Sequence, residues 1–123
     1  MGYYTEHSLT VRKIKDKEQF IELENELKNK GLIGYAFEDG DYHDNIHEAY
    51  FGTYDEVKWY EHPEDMVGIA EMFPNMYFML EGTGEEFGDF WREYYHDMDV
   101  ESCRGEIIYE QPKKVQWTEL RSF

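Results

Sequence analysis

The side chains equipped for chemistry in this 123-residue chain are its carboxylates, histidines and aromatics, and they gather in a few short stretches. Residues 38–48 read EDGDYHDNIHE, which brings Asp39, Asp41, His43, Asp44 and His47 into one segment. Asp39 and Asp41 offer hard oxygens to a divalent cation, and His43 and His47 stand at i, i+4, the separation of two ligands on one helical face. Two known patterns fail. A glycine at the second position and no closing glutamate at the twelfth break the calcium loop, and the histidine pair lacks the glutamate of a metalloprotease helix. An ordinary polar loop between strands accounts for the same letters. No metal or other cofactor is therefore expected, and Asp39, Asp41, His43 and His47 are the residues that would hold one.

For nucleophilic catalysis the inventory is poor. Ser8, Ser102 and Ser122 sit in no nucleophile-elbow motif, and Cys103 stands alone in ESCRGE, among acids that raise a thiol pKa. Carboxylate pairs suited to glycoside chemistry arise in any acidic protein. Aromatics lie beside acids in KWYEHPED (58–65) and GDFWREYYHD (88–97), which would suit a sugar or a cation, and GTGEEFG is too acidic to cradle an anion. No catalytic residue is assigned, and an enzyme or ligand-binding domain built on the 38–48 loop is the alternative reading.

The strongest signal is charge. Residues 31–111 hold 21 acids against Lys58, Arg92 and Arg104, a balance of −18, whereas residues 1–30 carry six of each sign. Such a field repels nucleic acid and anionic membrane and steers basic surfaces inward. Carboxylates two apart on a strand sit roughly 6.6 Å apart on one face, against about 3.4 Å between phosphates along one DNA strand. A series such as Glu81, Glu85, Glu86, Asp89, Glu93 and Asp97 could then imitate a nucleic acid backbone. With Trp59, Trp91 and Tyr95 as aromatic anchors, these nine residues are the expected contact surface, Trp59 and Trp91 being the exposed or half-exposed ones. The expected partner is a basic, nucleic-acid-handling protein, and the expected activity is its inhibition by DNA mimicry. Solubility alone explains the acids equally simply. A self-associating scaffold is a third possibility, opposed by the mutual repulsion of two such blocks.

These residues need elements to position them. Alternation over residues 3–14 predicts a first strand. Asp16 followed by Gln19 reads as a helix N-cap with its capping box, and Phe20, Leu23 and Leu27 form one stripe before Gly31. Residues 32–37 and 48–54 read as strands, the latter extended by or paired with 57–60. His62 and Pro63 open a second helix with Met66, Ile69, Ala70 and Phe73 inward, stopped by Pro74. Residues 76–81 read as a strand, Gly82, Gly84 and Gly88 as a flexible turn, and residues 90–96 with 106–111 as a hairpin. The expected fold class is α+β: a ferredoxin-like split β-α-β antiparallel sheet, two helices on one face, and a C-terminal hairpin extension. Residues 1–123 read as a single domain.

The runs AYFGTYDEVKWY, IAEMFPNMYFMLEG and EEFGDFWREYY resemble the ferredoxin-like domains of phage- and plasmid-encoded proteins of the YubB type. That resemblance covers somewhat under half the chain, departs after Tyr95, and rests on a Lys-Trp strand end, a Phe-Pro helix stop and a Glu-Gly turn. It implies a fold and a mobile-element setting, which together with the segregated charge suggests a phage-type anti-defence inhibitor, and it carries over no catalytic residue. A single cysteine excludes an intramolecular disulfide, and no stretch approaches the ~20 apolar residues of a membrane span. A cytoplasmic location is expected.

Overall fold

In the computed structural model, which describes residues 3–106, the elements in chain order are β1 (Thr5–Arg12), α1 (Lys17–Asn29), β2 (Asp41–His43), β3 (Glu48–Phe51), α2 (His62–Met72), β4 (Tyr77–Gly84), β5 (Phe90–His96) and β6 (Asp99–Arg104). The six strands form one antiparallel sheet in the order β2-β3-β1-β4-β5-β6. Alternation in β1 sets its two faces. His7, Leu9 and Val11 are buried on one side, while Glu6, Ser8, Thr10 and Arg12 occupy the other. Leu9 lies between Phe51 and Leu80 on the neighbouring strands, and Val11 between Ala49 and Phe78. All six of these apolar residues are at most 1% exposed, and each large one contributes roughly 1.5–3 kcal/mol by leaving water.

Both helices cover that face. Gln19 donates its backbone N–H to Asp16 Oδ1 at 2.9 Å, and Lys15 N–H donates to Gln19 Oε1 at 2.7 Å, so the capping box closes one residue before the cap. Phe20 of α1 stacks on Tyr42 and Phe51 with ring centroids 5.2 and 6.0 Å apart. Met66, Ile69 and Ala70 of α2 are buried in the same core. Among the described residues no helix lies over the opposite face. No described helix is long and apolar enough to cross a membrane.

The α+β class and the hairpin that extends the sheet past β4 agree with the sequence reading; several element positions do not. Residues 32–37 are a turn rather than a strand. The N–H groups of Tyr35, Ala36 and Phe37 all donate to the Leu32 carbonyl, and Leu32, Ala36 and Phe37 plug the core. The second strand is instead Asp41–His43, inside the segment expected to be a polar loop. Val57 makes a single bridge to Thr5, and residues 57–60 form no strand. The partner of β5 is Asp99–Arg104, joined by a tight turn in which Asp97 has φ +52°. The expected partner strand, 106–111, lies outside the described residues except for Glu106, which belongs to no strand.

Gly82 and Gly84 extend β4 instead of forming a flexible turn, and packing explains why. The Trp91 indole lies over Gly82, and Tyr3 with Asp89 over Gly84, where a Cβ at either position would collide with those side chains. Gly82→Ala forces the Trp91 ring off the sheet, so a loss of about 1–3 kcal/mol is expected in urea denaturation together with a changed tryptophan emission. An unchanged midpoint would contradict this packing.

Candidate functional site: an uncovered sheet face and a histidine-lined cleft

The uncovered face follows from the register of the sheet. One row across the six strands consists of Asp41, Tyr50, Thr10, Met79, Tyr94 and Glu101. The next contains His43, Glu48, Arg12 and Tyr77, and the Tyr77 ring stacks on His96 at 3.8 Å. Tyr50, Tyr77 and Tyr94 are exposed, and Met79 is half-buried beside them. A groove of about 620 Å³ runs along Thr10, Tyr77, Met79 and Tyr94, with Asp99 and Glu101 at one side and Arg12 and Lys13 at the other. Two basic residues of this face are engaged: Arg12 with Glu48 at 2.9 Å and Arg92 with Glu81 at 3.1 Å. Glu6, Asp99 and Glu101 form no ion pair among the described residues, leaving an aromatic centre with an acidic margin.

The carboxylate series expected from the sequence does not form one row. Glu81 points to the uncovered face, whereas Asp89 and Glu93 lie on the helix side, because the register pairs Glu81 with Arg92 and Leu80 with Glu93, so odd-numbered residues of β4 and of β5 face opposite ways. Asp89 accepts from Tyr3 and from Arg104, the latter at 2.8 Å, and Glu85 accepts from the Tyr4 N–H at 2.8 Å. Glu85, Glu86 and Asp97 are exposed in the connections at the two ends of β5. Acids also stand exposed on the helices, at Glu22, Glu64 and Glu71. The negative charge surrounds the molecule, and what marks this face is the placement of Tyr50, Tyr77 and Tyr94 together on strands of one sheet; Tyr35, Tyr54 and Tyr60 are exposed off the sheet.

Trp59 corrects the expectation of an exposed anchor. It is 5% exposed, its Nε1–H donating to Asp65 Oδ2 at 2.8 Å, and that bond is what lets an indole enter the core. Trp91 is half-buried, and Tyr95 is buried. Trp59, Trp91, Glu93 and Tyr95 come together instead around two histidines that sequence reasoning missed, His7 and His62. His62 Nδ1 lies 2.8 Å from Glu93 Oε1, and the Tyr95 hydroxyl donates to the same oxygen at 2.6 Å. The His62 ring stacks on Trp91 at 4.9 Å, and His7 is enclosed by Trp59, Trp91 and His62 at 5.2, 5.8 and 5.9 Å. Parity was the available signal for His7, which shares the inward phase of Leu9 and Val11.

The electrostatics follow from this packing. Burial, with the neighbouring His62, lowers His7 to about 4, so it is neutral at pH 7. Burial pushes Glu93 up, but the bonds from His62 and Tyr95 more than offset this and hold its carboxyl below the ordinary range. Burial and the bond to Glu93 push the Tyr95 phenol well above its usual value. His7, His62 and Glu93 border a cleft of about 420 Å³ that Tyr60 and Ser102 also line.

The 38–48 segment assembles no comparable cluster. His43 lies on β2 with its Nε2 3.4 Å from Asp41 Oδ2, and His47 occupies a turn with φ +55° and is bonded through Nδ1 to the Ile14 carbonyl at 2.9 Å. They therefore do not share a helical face, and Asp39 is simply exposed. Among the described residues no group of three or more His, Cys, Asp or Glu side chains is arranged to hold a metal ion. Comparisons with protein-family models, with curated proteins and with solved structures each gave no match.

A pH titration tests the histidine core. Because the fold holds His7 below its unfolded value, its contribution is complete above about pH 6.5 and is lost as pH falls towards about 4, where the unfolded chain has taken up a proton that the fold refuses. That interval is worth about 3 kcal/mol. The loss linked to Glu93 comes lower, as pH falls through its depressed value. Chemical denaturation between pH 7 and 4 is expected to give a slope that His7→Phe removes; equal slopes for the two proteins would refute the assignment.

Proposed function

We propose that this chain is a binding protein that blocks a basic, nucleic-acid-handling protein, with the uncovered sheet face as its contact surface. The observation that carries this reading is the row of Tyr50, Thr10, Met79 and Tyr94 flanked by Asp41 and Glu101. Tyrosines supply rigid, amphipathic contact area, and the acidic margin together with a net charge of −16 accelerates encounter with a positive surface. The scaffold in this reading is ferredoxin-like, with one helix after β1, another after β3, and the β5–β6 hairpin appended. The setting in this reading is cytoplasmic, and it is mobile-element as the YubB-type resemblance implies. The contact residues differ from those read off the sequence: Tyr50, Tyr77, Met79 and Tyr94 replace Trp59, Asp89, Trp91, Glu93 and Tyr95, while Glu81, Glu85, Glu86 and Asp97 stay at the margin.

The test is retention of bacterial proteins by the immobilised chain in low salt, compared with a Tyr77→Ala/Tyr94→Ala variant. The expected result is a basic nucleic-acid-binding protein that duplex DNA displaces, that is released steeply between about 50 and 200 mM salt, and that the variant holds at least about tenfold more weakly. Identical retention by the two proteins, or a partner indifferent to DNA, would overturn the proposal.

A further inference from the structure

The cleft on the helix side contains two features that the sheet-face reading does not use. His7 is 1% exposed, yet its Nδ1 has no hydrogen-bonding partner among the described residues. A buried polar atom left in that state costs about 1–3 kcal/mol, and natural folds seldom tolerate it without cause. Beside it, Glu93 is an enclosed carboxylate whose contacts, His62 and Tyr95, both converge on Oε1. No lysine or arginine among the described residues pairs with it. The arginines bordering the cleft are committed elsewhere, Arg104 to Asp89 and Arg92 to Glu81.

The two features ask for the same chemistry. With the neutral ring protonated on Nε2, the unsatisfied Nδ1 of His7 accepts an N–H, and an enclosed carboxylate without a permanent cation is stabilised by a positive charge. The walls add an apolar body to the requirement, since Trp59, Trp91 and Tyr60 border the same space. About 420 Å³ falls within the size range of small-molecule sites. The surrounding field, at a net charge of −16, raises the local concentration of cations.

We propose that this cleft binds a small organic cation: a protonated amine or amidine on an aromatic or apolar body, with its N–H donated to His7 Nδ1 and its charge set against Glu93. His62 acts as a positioning residue, fixing the Glu93 carboxylate through Nδ1 and packing Trp91 in place. A quaternary ammonium, which has no N–H to give, satisfies Glu93 alone and binds more weakly. The site is independent of the sheet face, so binding here is expected with or without a protein partner.

Benzylamine and benzyl alcohol form a matched pair of probes, alike in shape and different in charge, and calorimetry at fixed ionic strength reads their binding to the full chain. Benzylamine is expected to bind with one site per chain and benzyl alcohol not to bind measurably. Glu93→Gln and His7→Phe are each expected to weaken benzylamine by about tenfold or more, equivalent to about 1.4 kcal/mol. Wild-type protein gives a second readout that no folding defect can confuse: benzylamine should shift the ring resonances of His7 and the indole N–H of Trp59 and Trp91. Equal binding of the two probes, undiminished binding in a folded Glu93→Gln protein, or shifts confined to surface residues would overturn the proposal and leave His7 Nδ1 to an ordered water.

Discussion

The two-residue alternation of β1 divides the molecule. As the third strand of six it is paired on both sides, so its pleat is imposed on β3 and β4 through a continuous register. The odd positions meet Phe51, Ala49, Phe78 and Leu80 and close the core. The even positions carry Ser8, Thr10 and Arg12 on the side that no described helix covers. A slip of one residue would exchange these sets, burying Arg12 and exposing Leu9. The sheet face and the histidine cleft are therefore opposite products of one alternation, and neither can be altered in register without the other.

His7 is where that alternation is most costly. Its parity sends an imidazole into a position otherwise given to aliphatic residues, and the neighbours adapt to it by aromatic packing. Trp59 is held by Asp65 from the first turn of α2, and His62, the first residue of α2, is held by Glu93 on β5. Helix α2 is thus tied at its N-terminal end to the sheet by the His62–Glu93 bond and to the preceding segment by the Trp59–Asp65 bond, in addition to the apolar contacts of Met66, Ile69 and Ala70. Polar contacts at one end fix the orientation of a helix more narrowly than apolar burial alone, because hydrogen bonds are directional.

Much of this arrangement was legible in the residues, and the failures share a cause. Helix α1 could be read because its cap, its stripe and its terminal glycine are all local. Helix α2 announced its start with Pro63 and its stop with Pro74. Residues 32–37 misled because a short apolar run looks the same whether it forms a buried strand or plugs a core as a turn. The true β2, Asp41–His43, is hidden by its charges, since only Tyr42 faces inward. Trp59 and Glu93 were misjudged for a different reason: their burial depends on partners six and 31 residues away, and such contacts leave no mark on local pattern. The nine-residue contact list mixed both sides of the sheet because a series of acids has no visible parity once it runs through a loop.

Gly82 and Trp91 form a unit of inheritance. Any side chain at 82 meets the indole, while loss of the indole would uncover the glycine and open a gap beside His7. A lineage can leave this pair only by shrinking position 91 before enlarging position 82, and it crosses a less stable intermediate on the way. Descendants of this sequence should carry both residues or neither.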